Sequence, residues 1–423
     1  MIDRHEYLAE LEKHKGKSGL IKVVTGVRRC GKSTLLQLFQ EKLKKDKVRP
    51  DRIISISLEG IENEELRDGK ILYKYVKDKV KTGDLHYVFI DEVQLAAGYE
   101  EAANSIRLLK NVDLYVTGSN SNILSGKFAT RWAGRYVEIK MLPLSFNEYA
   151  SVFPNTNPDI VYRNYIEQSS FPEVLAYYKQ PVYNGTIKYD GRRLYTGYWN
   201  ESGVRAYLDA IYNSIMIKDV MMQNGVKEAA LLERVVKCLF SNIGSEISIN
   251  GMVNMLNNDL KLKPTQKKVY AAALEDYLDA LLKSFVFYKA ERCFIKGREY
   301  LRTNAKYYAV DVALRYFLLG NKGADSGHIL ENIVFLELLR RGYHVHIGKI
   351  GEKEVDFVAE NPNGVEYYQV AETVRGKETL IREISPLNAI NDHNPKFLLT
   401  RDYEPKKTHN GIRQLNVLEW LLD

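Results

Sequence analysis

The chain lacks several things, and each absence narrows its class. Its 423 residues include three cysteines, Cys30, Cys238 and Cys293, scattered without metal-ligand spacing. That usage excludes a disulfide scaffold and a cysteine-held zinc module, and it fits a reducing cytoplasm. No stretch approaches the ~18 uninterrupted apolar residues of a membrane span. The first residues, MIDRHEYLAELEKHKGK, are charged and carry no apolar signal-peptide core. Internal repeats and low-complexity tracts are absent too. What remains is an ordinary globular mixture, 45% hydrophobic and 27% charged, long enough for two to four domains. The net charge of +7 leans mildly toward polyanionic partners.

Against that background one segment stands out. Gly26, Val27, Arg28, Arg29, Cys30, Gly31, Lys32 and Ser33 fit the phosphate loop G-x-x-x-x-G-K-[ST]. An apolar strand, Ile21 to Thr25, precedes it, and a helix beginning at Thr34 follows. The two glycines let backbone N–H groups wrap a phosphate. Lys32 reaches the β- and γ-phosphates, the Ser33 hydroxyl can ligate Mg²⁺, and the helix adds its positive end. Cys30 sits inside this loop. A thiol beside a helix N-terminus and a lysine is expected to have a lowered pKa and to block nucleotide binding when alkylated. A tolerated loop cysteine is the plainer alternative.

His86 to Asp91 reads HYVFID and is followed by Glu92. An apolar strand ending in two acids supplies one carboxylate for Mg²⁺, Asp91, and one for the attacking water, Glu92. A third strand, Asp113 to Thr117, leads into TGSNSN. There Thr117, Ser119 and Asn120 are candidates to sense the γ-phosphate. Arg131 and Arg135 are candidates to stabilise transition-state charge, in their own subunit or across an interface. Arg135 is preferred, because it is expected to open a strand at the same end of the sheet. Both arginines also fit a solvated surface.

Strands and helices alternate from Ile21 to about Tyr149, with further elements at Ile53 to Leu58, Glu64 to Val80, Glu100 to Leu109 and Tyr136 to Lys140. This predicts an α/β domain with a parallel sheet covered on both faces, and nucleotide at the carboxyl ends of the strands. Between Tyr177 and Trp199 tyrosines crowd with Lys and Arg around an Asp190-Gly191 turn, a hairpin that suits either a structural protrusion or stacking on single-stranded nucleic acid. From Ala206 to Leu319 the pattern is mainly helical. Helices over Leu231 to Phe240, from Ser248, and from Pro264 to Leu282 are followed by strands at Ser284 to Arg292 and Ala305 to Val310. The third helix carries an apolar stripe of Val269, Ala273, Tyr277 and Leu281. That order describes a winged-helix module. Its third helix opens with Pro264, Thr265, Gln266, Lys267 and Lys268, which suits a DNA groove, while a packing lid is the alternative. Beyond Gly327 come an amphipathic helix, Ile329 to Arg341, strands at Tyr343, Glu354, Tyr367 and Lys396, and a final helix from Leu415.

The order and spacing of these motifs resemble a family. TGVRRCGKSTLL at Thr25, FIDEVQ at Phe89, TGSNSNILSG at Thr117, GRYVEI at Gly134, PLSFNEY at Pro143, FPEV at Phe171, ILENIVFLEL at Ile329 and EVDFVAE at Glu354 are similar to those of prokaryotic AAA-type P-loop ATPases, relatives of the STAND ATPases. In these a C-terminal domain has a restriction-endonuclease-like fold. The resemblance implies an ATPase domain over 1–165, a helical and winged-helix domain over 166–320 and an endonuclease-like α/β domain over 321–423. It implies ATP and Mg²⁺ as cofactors, with Gly26 to Thr34 binding nucleotide and Ser33 and Asp91 holding the metal. It also implies Lys32, Asp91, Glu92, Asn120, Arg131 and Arg135 in catalysis. Nucleic acid or a protein are the candidate partners, and oligomers occur among such proteins. Two departures stand out. Ser169 and Ser170 replace the paired glycines often found before Phe-Pro. In the C-terminal domain Glu331, Asp356 and Gln369 occupy nuclease positions, but Ala371 stands where the lysine belongs, so nuclease activity is not expected.

Overall fold

The computed structural model describes residues 2–81, 83–124, 132–179, 198–222, 224–258, 269–297, 300–320, 326–403 and 407–423. The chain divides into two compact units. The first is Met1–Pro143 together with Lys283–Phe285, and the second is Leu144–Leu282 with Val286–Asp423.

The first unit begins with helix α1 (His5–Lys13) and continues as strand β1 (Ile21–Thr25), helix α2 (Lys32–Lys45), β2 (Ile53–Ser57), α3 (Gly69–Lys79), β3 (His86–Asp91), α4 (Tyr99–Arg107), β4 (Val112–Gly118) and β5 (Tyr136–Lys140). The strands form one parallel sheet in the order β2-β3-β4-β1-β5. Strand side chains alternate between faces. Val88, Ile90, Leu114 and Val116 join the core with Leu72 and Val76 of α3 and Ile106 of α4. Phe89 and Tyr115, on the opposite face, meet Phe39 of α2. α3 is shorter than the periodicity suggests, because Asp68 accepts from the N–H groups of Lys70 and Ile71 and starts the helix there.

β1 is not wholly apolar. Lys22 is fully buried and paired with Asp113, which also accepts from the Gly16 N–H (2.7 Å) and the Tyr115 hydroxyl (2.8 Å). Buried charges persist only when matched in this way.

The second unit opens with a capped helix, α5 (Phe146–Ala150). The Ser145 Oγ accepts from the Glu148 N–H, and the Glu148 carboxylate accepts from the Ser145 N–H. That reciprocal cap gives the SFNE motif its physical meaning. Next come α6 (Pro158–Gln168) and a short antiparallel pair, β6 (Tyr178–Lys179) and β7 (Tyr198–Trp199). The tyrosine-rich hairpin expected around Asp190 lies outside the described residues.

The chain continues as α7 (Glu201–Ser214), α8 (Ala229–Ser241), β8 (Glu246–Ile247), α9 (Ile249–Asn258), α10 (Ala271–Lys283), β9 (Phe287–Phe294), β10 (Tyr300–Ala309) and α11 (Ala313–Leu319). The segment Pro264 to Lys268 also lies outside the described residues. The expected apolar stripe is shifted. Val269 precedes α10, where its backbone N–H and C=O pair with the Asn257 side chain, and the buried face is Leu274, Tyr277, Leu278 and Leu281. The C-terminal elements are α12 (Ser326–Arg340), β11 (His344–Ile350), β12 (Lys353–Asn361), β13 (Gly364–Ala371), α13 (Lys377–Asn388), β14 (Lys396–Thr400), β15 (Lys407–His409), β16 (Ile412–Asn416) and α14 (Val417–Leu422).

One nine-stranded sheet, β15-β16-β14-β13-β12-β11-β9-β10-β8, runs through these elements, with β11 parallel to β9. α12 was expected to be amphipathic, but it is buried continuously from Ile329 to Leu338. A helix buried on every side needs no polar face, and its acids must find partners inside.

The serine pair that departs from the family pattern is accounted for. Ser169 holds φ +118, a backbone region rarely adopted by side-chain-bearing residues. Its hydroxyl, the Ser170 hydroxyl (2.5 Å) and the Ser170 N–H (2.6 Å) all donate to Asp311 Oδ2. Asp311 Oδ1 in turn accepts from the Ala313 and Leu314 N–H groups at the start of α11.

Candidate nucleotide site

The loop between β1 and α2 has the backbone that its glycines promise. Gly26 holds φ +152 and Gly31 φ +104, and Arg29 also adopts a left-handed conformation. A Cβ on Gly26 would lie 2.1 Å from the Met141 carbonyl oxygen, so only glycine fits there. Val27 and Cys30 are buried, Arg28 reaches Glu59 (3.3 Å), Arg29 is exposed, and Thr34 is half-buried in the first turn of α2.

Lys32 is buried and folds back over its own loop. Its Nζ donates to the carbonyls of Gly26 (3.1 Å) and Val27 (3.2 Å) and lies 3.9 Å from Glu92 Oε1. Beside it the Ser33 Oγ donates to Asp91 Oδ2 (2.7 Å). The Thr117 hydroxyl donates to Asp91 Oδ1 (2.6 Å) and accepts from the Glu92 N–H (2.8 Å). Strand order explains this meeting. β4 lies between β3 and β1, so the carboxyl ends of all three strands converge. Burial holds the Asp91 carboxyl above its ordinary value, although the Thr117 and Ser33 hydroxyls pull it down. Glu92 is a buried residue in the left-handed region (φ +53), and its carboxylate accepts from the Gln94 amide. Asn120 and Ser119 are buried in the turn that follows β4.

The Cys30 expectation is corrected. The thiol is fully buried, and that burial pushes its pKa up although Lys32 and Arg4 oppose the shift. Such a thiol is poorly reactive. The Arg135 expectation is corrected as well. Because β5 is parallel to β1, with Tyr136 beside Ile21 and Lys140 beside Thr25, Arg135 stands before the amino end of the sheet. It lies roughly 13 Å or more from the phosphate loop by strand rise alone. Arg107, whose guanidinium it influences, marks that same edge. Arg135 therefore cannot reach a phosphate bound in its own subunit. Arg131 lies outside the described residues.

Two contributors escaped sequence reasoning. Buried Arg4 donates to the carbonyls of Cys30 (3.2 Å) and Leu142 (2.7 Å) and braces the loop from before α1. Nothing local marks it among the charged residues around it. Gln94 lies within FIDEVQ, and its position two residues beyond Glu92 was the available signal.

Residues 18–150 match a family model described as an AAA domain. An uncharacterised protein of Haemophilus influenzae is 34% identical over 428 aligned residues, covering 100% of this chain and 99% of its own. Residues 18–150 form an AAA-type domain, and the chain as a whole belongs to one family with the Haemophilus influenzae protein. Residues 193–325 match a second model, a domain of unknown function (DUF8612). An uncharacterised protein of Methanocaldococcus jannaschii is 28% identical over 373 residues, covering 85% of this chain and 77% of its own. Among solved structures, the ORC2 protein of Aeropyrum pernix is similar with a TM-score of 0.42 at 9% identity, covering 79% of this chain and 92% of that one. Likeness at that level supports no functional reading.

In the described residues no helix is long and apolar enough to cross a membrane. No group of three or more His, Cys, Asp or Glu side chains is placed to hold a metal ion, again among the described residues.

Proposed function

We propose that this chain is an Mg²⁺-dependent ATPase that uses nucleotide turnover as a conformational switch or motor. The convergence of Lys32, Ser33, Asp91, Glu92 and Thr117 at the carboxyl ends of β1, β3 and β4 supports the reading. The donor set fits Mg²⁺, a hard cation that takes oxygen ligands, because a hydroxyl and a carboxylate already touch. Ser33 and Asp91 would hold the ion, which would supply positive charge against the developing charge on the phosphates. Lys32 turns from its own loop carbonyls to the phosphates. Glu92 orients the attacking water and accepts its proton. Thr117 fixes the direction of the Asp91 carboxylate and the backbone of Glu92, and Asn120, buried in the turn beyond β4, is the residue assigned to sense the γ-phosphate.

Steady-state ATP hydrolysis is the test. Lys32→Ala should abolish nucleotide binding. Glu92→Gln should bind ATP yet turn over at least about 100-fold more slowly, the scale of general-base loss. Wild-type turnover by Glu92→Gln would sink the assignment.

A second reading, a DNA-binding regulator timed by slow hydrolysis, draws on the order α8-β8-α9-α10-β9-β10, with β8 and β9 both antiparallel to β10. That is the order of a winged helix. Turnover stimulated by single- or double-stranded DNA would favour it. Indifference to DNA would leave the module a packing lid and point to a protein partner. The division at 1–165, 166–320 and 321–423, with an endonuclease-like third domain, belongs to the same proposal.

A further inference from the structure

The acids in nuclease positions are brought together, but not around a vacant centre. Asp356 on β12 accepts from the Val370 N–H through Oδ2 (2.8 Å), and its own N–H donates to Gln369 Oε1 (3.4 Å). Glu331 projects from α12. Against Glu331, and against Glu354 two residues before Asp356, comes a lysine from another strand, Lys306 of β10. Its Nζ is 2.9 Å from Glu331 Oε1 and 2.9 Å from Glu354 Oε1. The Tyr308 hydroxyl donates to the same Glu331 oxygen (2.6 Å), and His328 Nδ1 stands 3.8 Å from the other. Lys306 and Glu331 are both buried.

We infer that the Lys306 ammonium stands in the place of a metal ion, so that the C-terminal acids form a closed ion cluster that binds no divalent cation and cleaves no phosphodiester. This inference rests on the endonuclease-like reading of the C-terminal domain. A hard divalent cation needs several unengaged oxygens. Here Glu331 Oε1 already accepts two hydrogen bonds, and Glu354 is held by the same ammonium. Admitting a metal would mean expelling Lys306 or burying it unpaired, and buried charges do not persist unpaired. Burial alone would lower the Lys306 pKa, but the Glu331 carboxylate and then Glu354 outweigh it and keep the lysine charged. Burial, reinforced by the Glu331 charge, raises the Asp356 carboxyl well above its ordinary value. A protonated acid is a poor metal ligand.

Lys306 does not restore the lysine missing at Ala371. It enters from β10, and its charge is already neutralised. What it does is mechanical. It ties β10, α12 and β12 into one body, with Glu331 and Tyr308 sharing the knot.

The test is Mn²⁺ binding to the full chain without nucleotide, followed by calorimetry and by the Mn²⁺ electron paramagnetic resonance signal. Wild type and Asp356→Asn should bind the same number of ions, since any phosphate-loop metal is common to both. Lys306→Ala should gain one ion, which Lys306→Ala/Asp356→Asn should lose again. A wild-type Mn²⁺ ion removed by Asp356→Asn, or DNA cleavage removed by it, would overturn the inference and leave the endonuclease-like reading standing. A folded Lys306→Ala that gains no ion would overturn both. Should Lys306→Ala fail to fold, the comparison of wild type with Asp356→Asn still decides.

Discussion

Replacing Gly26 by alanine tests the phosphate loop at its tightest point. The new Cβ would fall 2.1 Å from the Met141 carbonyl oxygen and 3.1 Å from Cys30 Sγ, with φ at +152. Met141 cannot easily retreat, because its N–H donates to the Thr25 carbonyl (2.7 Å) and prolongs the β1–β5 ladder. The strained backbone costs about 1–3 kcal/mol. Crowding a packed region costs about 1–3 kcal/mol more. The loss should therefore be about 2–6 kcal/mol, and at about 2–4 °C per kcal/mol the melting temperature should fall by roughly 4 °C or more. The Gly26 carbonyl also holds Lys32, so a displaced loop releases the lysine and ATP affinity should fall with stability. Gly134→Ala is the control. It shares a positive φ, +68, but a Cβ there meets nothing within 4 Å, so it should cost only about 1–2 kcal/mol. Thermal unfolding and titration with a fluorescent ATP analogue read both effects. A Gly26→Ala protein that melts with the control and keeps wild-type affinity would refute the steric argument.

Other outcomes follow from buried groups. Asp113→Asn should destabilise by about 3–5 kcal/mol because it strands the Lys22 ammonium, and Lys22→Met/Asp113→Asn should recover much of that in denaturant melts. Ser170→Ala removes a bond to the Asp311 carboxylate and should cost about 1.5–3 kcal/mol, whereas Ser169→Gly trades its hydrogen bond for relief of the φ +118 strain and should be nearly neutral. The raised Asp356 pKa fixes a sign in pH. Between the unfolded value near 4 and the folded value the native state holds the extra proton, so stability falls as pH rises. Asp356→Asn should abolish that slope, and its stability relative to wild type should improve from pH 4 to pH 8. Equal pH slopes in the two proteins would count against a protonated Asp356.

The sequence alone determined the local chemistry. The strand from His86 to Asp91 was legible to the residue, because an apolar run closed by acidic residues is a local signal, and a strand near Tyr136 to Lys140 was legible from its alternating pattern. The phosphate loop was legible for the same reason, since its glycines answer a backbone demand within eight residues. Only the tertiary structure decided which strand lies beside which. The order β2-β3-β4-β1-β5 carries Thr117 to Asp91 and Glu92, and the parallel register of β5 sends Arg135 to the far edge. Cys30 looks reactive in the sequence and is inert in the fold, because burial depends on what packs over it. The serine pair meets Asp311, and Lys306 meets Glu331 and Glu354, across long stretches of chain. Hydrophobic period and turn chemistry act over a few residues, whereas a buried charge finds its partner only once the sheet and the helix over it have closed.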